Sequence, residues 1–365
     1  MFHILITGKT NMSHIAHKKS ILHFSTGKSM RGGERQVLLL HNGLRSRGIK
    51  SSIVCRKGGE LAAHKVEDKI AIQWLGEWDI AALFNFIRIC KLQKPSIIHC
   101  HDAHSLTHGS AAGALLGIPV VYTRRVMFPM ASTPLSRKKL SSCAAIIAVS
   151  EAVAEKCTEI VPPARVFIVG DGVDLGATML SRSEARKRLG LQPDTFVVGT
   201  VAHFTREKDF TLVYYCASRL EAEKDNAKLV CIGPYTENKK KRQTIPESLI
   251  LTGPLDNAVQ FYSAFDAYIS TSTQEGLGSA LLDAVIRGIP TVAVDAEGTR
   301  DLFPERWHLA RRGDYDGFST SLLHMIDHFE PALREAAQCA SRARDIFSVN
   351  LITEKTMEVY SAVHG

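Results

Sequence analysis

Short apolar runs rich in Val and Ile alternate along the chain with longer segments in which apolar positions recur every three or four residues. Runs buried on both faces, separated by amphipathic helices, are the pattern of parallel sheets covered by helices, so an α/β fold is predicted. In the first half the predicted strands are residues 21–24, 51–55, 97–101, 120–123, 145–149 and 166–169; in the second they are 196–202, 228–232, 248–251, 267–270 and 291–294. Each set is sufficient for its own sheet. Pro162 and Pro163 punctuate the approach to residues 171–183, a stretch with two glycines and few large apolar side chains that reads as an interdomain linker. The expected organisation is an extension over 1–19, a first domain over 20–177, a second over 178–345, and a C-terminal helix over 346–365 free to pack back on the first domain.

A length of 365 residues accommodates two such domains, and 45% hydrophobic with 22% charged residues is ordinary globular composition. No apolar stretch reaches the roughly 18 to 20 residues of a spanning helix, and the N-terminus shows no secretory leader pattern. The eight cysteines are scattered without a C-x-x-C and sit mostly in apolar runs, as reduced thiols do, so a cytoplasmic location is expected. Charge is uneven: residues 1–175 carry 23 Lys and Arg against 12 Asp and Glu, whereas residues 176–365 carry 22 against 25. A basic half suits an anionic membrane surface or phosphorylated substrates, or is simply solvated. Nucleic acid is not an expected partner, because no recognisable binding module is present.

Gly8-Lys9-Thr10 and Gly27-Lys28-Ser29 imitate the end of a P-loop, but His3 and Leu22 stand where its earlier glycine is needed. Arg31-Gly32-Gly33-Glu34 follows a predicted strand and opens a helix, where a backbone free of Cβ atoms lets a phosphate approach a helix N-terminus. His99 and His101 share one face at the carboxyl end of another strand, the edge at which open α/β sheets bind ligands. Substrate hydrogen bonding and metal ligation are both open to that pair, although the spacing matches no standard zinc signature. The second half offers a loop from His203 through Arg206 to Lys208 and a strand-turn-helix from Ser270 through Glu275, Gly276, Leu277 and Gly278 to Asp283. Such a turn is a natural anion site, with Lys208 as a point charge and Glu275 as an acceptor for sugar hydroxyls; helix-dipole complementation is the structural alternative for both acids.

Taken in order, Gly32-Gly33-Glu34, the His-x-His strand end, Ile147-Ala148-Val149-Ser150-Glu151, Gly172-Val173-Asp174, Lys208 and the stretch from Glu275 to Ala293 resemble the family 4 glycosyltransferases, retaining enzymes of the GT-B architecture. The resemblance implies two Rossmann-like domains facing a cleft, a nucleoside-diphosphate sugar held mainly by the second domain and an acceptor held mainly by the first. It implies no cofactor and no required metal. Residue by residue, Gly32 and Gly33 would lie at the donor diphosphate, Lys208 would bind it, with His203 or Arg206 assisting. Glu275 would hold sugar hydroxyls, Gly276, Leu277 and Gly278 would line the donor, with Leu277 and Gly278 offering amides, Asp283 would take the ribose, and the base would lie near Leu251. His101 would face the transferred sugar, with His99, Arg124 and Arg125 on the acceptor side.

Four positions depart from the family pattern: Asp283 replaces the second glutamate of E-x(7)-E, His203 stands where an arginine is expected, Asp171 replaces a hinge asparagine, and Arg124-Arg125 occupies the place of a histidine. The arginine pair and the basic stretch over 126–140 point to an anionic acceptor. The expected function is sugar transfer with retention to an envelope glycan or lipid-linked acceptor, lipopolysaccharide-like, at the inner face of the cytoplasmic membrane. A sugar-nucleotide epimerase of the same architecture and a catalytically silent glycan-binding homologue are the alternatives.

Overall fold

The computed structural model describes residues 20–128, 133–235, 245–303 and 309–364. The expected N-terminal extension over 1–19 and part of the basic stretch, residues 129–132, lie outside them. The first sheet comprises β1 (Ser20–Ser25), β2 (Lys50–Arg56), β3 (Lys69–Ile72), β4 (Ile97–Cys100), β5 (Val120–Arg124), β6 (Ala145–Ala148) and β7 (Val166–Ile168) in the order β3-β2-β1-β4-β5-β6-β7. Every pairing is parallel. The helices α1 (Gly32–Arg45), α2 (Glu60–Ala63), α3 (Ile80–Gln93), α4 (Ala103–Leu116), α5 (Pro134–Ser141) and α6 (Glu151–Thr158) form its crossovers. Order reverses between β1 and β4, the switch point where a doubly wound sheet opens a crevice at its carboxyl edge.

After α7 (Arg182–Arg188), the second sheet runs β10-β9-β8-β11-β12-β13, with β8 (Phe196–Val201), β9 (Ala227–Ile232), β10 (Leu249–Gly253), β11 (Ala267–Ser270), β12 (Thr291–Val294) and β13 (Leu309–Ala310), again all parallel. Its helices are α8 (Phe210–Glu223), α9 (Ser279–Ile286), α10 (Tyr315–Asp327) and α11 (Phe329–Phe347). The chain then ends in α12 (Val349–His364), which lies on the first domain against α1. Its Ile352, Val359 and Tyr360 join Leu40, Leu44 and Val121 in one buried cluster. All eight cysteines are free and buried.

Two strands were not anticipated. β3 is a four-residue edge strand with only Ile72 fully buried, and β13 has two residues, so neither carries the apolar run that marks an interior strand.

Candidate active site

The carboxyl edges of the two parallel sheets face each other, and the loops leaving them interlock. From the first domain come the β1–α1 loop with Gly32 and Gly33, His101 after β4, and Arg125 after β5. From the second come the β8–α8 loop, with Lys208 in a single 3-10 turn, and the β11–α9 loop bearing Glu275. Approach between the domains is close enough to demand glycine. A Cβ on Gly276 would fall 2.0 Å from the Arg125 carbonyl oxygen, and one on Gly32 2.9 Å from Ser279 Oγ.

On the second-domain side, Lys208 Nζ donates to Glu275 Oε1, joining the two loops. Thr271 Oγ1 donates to the Lys208 carbonyl at 2.6 Å and the Thr273 amide to the Glu207 carbonyl at 2.8 Å, so the cationic loop is pinned to the glutamate-bearing loop by main chain as well. Gly278, the N-cap of α9, sits at φ +86 in the left-handed region and brings no side chain to cap the helix. The first-turn amides of α9 therefore have no side-chain acceptor at the cap, leaving donors for an anion. Leu277 is buried, and half-buried Leu251 lies near the end of β10 just before a register irregularity.

On the first-domain side, Arg125 Nε donates to Asp171 Oδ1 at 3.0 Å and its NH1 lies 3.4 Å from His101 Nδ1. Asp171 Oδ2 accepts from Ser279 Oγ at 2.6 Å, so one hinge carboxylate ties β5, the interdomain linker and α9 together. His101 Nε2 is 2.9 Å from His23 Nδ1. A guanidinium only donates, so His101 Nδ1 accepts from Arg125 and its Nε2–H donates to His23. Burial, then the neighbouring His99, His23 and Arg125, hold the His101 pKa well below the ordinary value, making it a neutral hydrogen-bonding group at pH 7.

Three expected contacts are revised. His99 does share a face with His101, ring centroids 4.1 Å apart, but both its nitrogens are spent inside the core: Nδ1 on the Tyr360 hydroxyl at 2.6 Å, Nε2 on Thr123 Oγ1 at 2.7 Å. It cannot meet an acceptor because α12 covers it. Arg124 is buried at 5% exposure and donates to the Phe128 carbonyl, holding its own loop instead of facing the cleft. Asp283 is 2% exposed at its side chain and accepts from Arg35 of the first domain and from Arg287 NH1 at 2.7 Å. Its oxygens bridge the domains instead of standing open for a ribose.

The sequence reading missed Arg31 and Arg35, although their four-residue spacing at the start of α1 puts them on one face. Arg35 NH2 reaches Asp283 Oδ1 at 3.1 Å, while Arg31 NH2 comes within 3.4 Å of His203 Nε2. Burial, then the Arg31 charge, pushes the His203 pKa down, and the guanidinium beside it comes from Arg31 across the cleft. Arg206 is exposed on the turn.

Among the described residues, His23, His99 and His101 are close enough to share a metal ion. The hydrogen bonds above already use both nitrogens of His99 and the facing nitrogens of His23 and His101, and the Arg125 guanidinium opposes a second cation there. In the structure this trio forms a hydrogen-bonded core.

Two Rossmann-like domains closing on a cleft through their strand ends define a GT-B transferase architecture. Residues 30–177 match the description "Glycosyltransferase Family 4" and residues 181–309 match "Glycosyl transferases group 1", together about three quarters of the chain. The chain belongs to this glycosyltransferase family. It is 28% identical to a GDP-mannose-dependent alpha-mannosyltransferase of Mycolicibacterium smegmatis over 55% of this chain and 52% of that one, so it spans about half of that relative. It is 23% identical to the UDP-Gal:alpha-D-GlcNAc-diphosphoundecaprenol alpha-1,3-galactosyltransferase of Escherichia coli over 85% of this chain and 88% of that one. Its fold is similar to that of Anabaena HepE, solved in complex with UDP and glucose, with a TM-score of 0.80 at 17% identity over 94% of this chain and 100% of that one.

Proposed function

We propose that the protein transfers a sugar, with retention, from a nucleoside-diphosphate sugar to an envelope glycan or lipid-linked acceptor, lipopolysaccharide-like, working as a peripheral enzyme at the inner face of the cytoplasmic membrane. One observation carries the reading. The Lys208–Glu275 pair and the uncapped N-terminus of α9 lie directly across from Gly32, Gly33, His101 and Arg125. The first set suits a sugar diphosphate, with cation and amides on the phosphates and carboxylate on the hydroxyls. In the second set, Gly32 and Gly33 leave room for the diphosphate, His101 faces the transferred sugar, and Arg125 suits an acceptor entering from the opposite side.

In this reading the departing diphosphate helps take the proton of the acceptor hydroxyl, and the protein positions both substrates and stabilises charge on the leaving group. Lys208, Arg31 and the α9 amides carry that stabilisation, and neutral His101 hydrogen-bonds the sugar. The relative that acts on a diphosphoundecaprenol-linked substrate and the structural neighbour with bound UDP support lipid-linked and nucleotide chemistry respectively.

The test is incubation of the purified protein with nucleoside-diphosphate sugars and lipid-linked or oligosaccharide acceptors, with the product anomer read by NMR. An α-donor giving an α-product is expected. A β-product would overturn retention, interconversion of two nucleotide sugars without acceptor would identify an epimerase, and donor binding with no turnover would identify a silent homologue.

A further inference from the structure

Nine of the thirteen exposed large apolar side chains among the described residues fall within residues 75–135, on the first domain. Leu75, Trp78, Ile80 and Phe84 are 80%, 70%, 68% and 67% exposed. The first two sit on the turn that leaves β3, and the last two begin the outward face of α3, which continues through Arg88 to Leu92 at four-residue intervals. Exposed apolar residues gathered in this way mark a docking surface, whereas scattered ones are ordinary.

Both acids of the turn are bonded to donors within the domain. Glu77 accepts from Lys139 Nζ at 2.7 Å and from Thr107 Oγ1 at 2.5 Å, tying the turn to α4 and α5. Asp79 caps α3 through the Ala82 amide at 3.0 Å and also accepts the Leu75 amide at 3.0 Å. Residues 69–144 contain one further acid, Asp102, which caps α4 and holds Thr26. All three carboxylates of this region thus accept from internal donors, while Arg88 and Lys91 on α3, Lys94 at its C-terminal cap, and Arg137 and Lys138 on α5 are exposed. The outward surface is apolar and cationic, which is complementary to an anionic lipid interface.

Its position gives the surface a use. The first sheet is wholly parallel, so the turn after β3 emerges at the same carboxyl edge as His101 after β4 and Arg125 after β5. Exposed Val126 and Phe128 continue the apolar rim from Arg125.

We propose that Leu75, Trp78, Ile80 and Phe84 form an apolar wedge that inserts into an anionic bilayer, with the basic residues of α3 and α5 on the headgroups, so that the acceptor side of the cleft opens at the membrane. The inference rests on the reading that the acceptor is lipid-linked. Basic residues alone would leave the protein on the headgroups and release it in salt. A wedge adds a salt-resistant component.

The test uses the full chain with vesicles of phosphatidylcholine containing about 30 mol % phosphatidylglycerol, at low salt and at about 0.5 M NaCl, with brominated acyl chains as quenchers. Expected are binding that persists in part at high salt, tryptophan quenching that Trp78→Phe diminishes, and at least about a tenfold lower partition coefficient for the Trp78→Ser, Phe84→Ser double variant. Both side chains are exposed, so the thermal midpoint of the double variant should match wild type and confirm that folding is retained. Complete release by salt with equal partitioning of the double variant would overturn the wedge. So would concentration-dependent self-association that the double variant abolishes without vesicle binding, since the occupant would then be a second copy. Transfer to a lipid-linked acceptor in detergent without vesicle binding would sink the wedge alone; quenching without any transferase activity would sink the functional reading alone.

Discussion

Arg125 and Asp171 are two departures from the family pattern that answer each other: the arginine in the histidine place and the aspartate in the asparagine place form an ion pair, 3.0 Å from Nε to Oδ1, with side-chain exposures of 16% and 4%. Read singly, Arg125 suggested an anionic acceptor. Its pairing shows that much of its charge is spent on the hinge. Breaking a buried pair from one side leaves the other charge unpaired, at about 3 to 5 kcal/mol, whereas removing both charges costs far less. Asp171→Asn and Arg125→His should therefore each destabilise strongly, and the double variant should recover most of the loss. A denaturant double-mutant cycle measures this, and simple additivity of the two losses would refute the coupling.

Lys208 and Glu275 bond to each other, so a donor that contacts both must share or separate them. Lys208→Ala and Glu275→Gln should each lower turnover at least about 100-fold, the effect of about 2.7 kcal/mol of lost charge stabilisation or orientation. With side-chain exposures of 21% and 16% the pair is only partly solvated, so some stability is lost with either charge, and turnover is read on variants whose thermal midpoint shows them folded. Wild-type turnover in either folded variant would remove that residue from the site.

The interior strands were legible because strands buried on both faces are written as continuous apolar runs, and β3 and β13 were not because edge pairing needs no such run. Local motifs likewise carried Gly32, Gly33, Lys208 and Glu275 to the facing strand ends. What no window reveals is what covers a residue from afar. His99 sits at a strand end, yet Tyr360, 261 positions later, closes over it. Asp283 has the spacing of a ligand carboxylate, yet Arg35, 248 positions earlier, fills it. Arg31 and Arg35 were within reach of helical-spacing arguments, since both face the partner domain from one side of α1.

The Arg31–His203 contact fixes how donor affinity should vary with pH. Burial and the Arg31 charge lower the His203 pKa, so that side chain carries less charge near pH 6 than an ordinary histidine and has less to lose as pH rises. Arginine stays charged over the same range. Nucleoside-diphosphate affinity should be nearly flat between about pH 6 and about pH 8, Arg31→Ala should weaken it by about 1.5 to 3 kcal/mol, and His203→Ala by less. Calorimetric titration decides between them. A steep fall toward pH 8 that His203→Ala abolishes would assign the charge to the histidine instead.

Metal chelation should leave transfer intact. Lys208 and Arg31 offer the diphosphate positive charge, and the histidine trio has its facing nitrogens committed to hydrogen bonds. Activity assayed with and without EDTA checks this, and a loss that added divalent cation reverses would show that a metal neutralises the leaving group.

The buried histidines also set how the fold responds to acid. Burial, with neighbouring His41 and Arg125, lowers His23 to about 3; burial and Arg45 lower His41 to about 4; His99 and His101 lie well below the ordinary value for the same reason of burial. In the unfolded chain all four titrate near 6.5, so below that pH the unfolded state binds protons that the native state refuses. Their contribution is fully present above about pH 6.5 and is lost as pH falls toward the folded values, each histidine steepening the loss by up to about 1.4 kcal/mol per pH unit. Glu34 and Asp301, raised by burial, act in the opposite direction, while His108 and His203, also lowered by burial, act with the four. Urea unfolding should therefore show stability falling between about pH 7 and about pH 5, before ordinary carboxylates titrate, and His41→Gln should flatten that slope by about one proton. Constant or rising stability across the window would mean that the histidines take up protons in the native state, and the neutral chain from Arg125 through His101 to His23 would then be wrong.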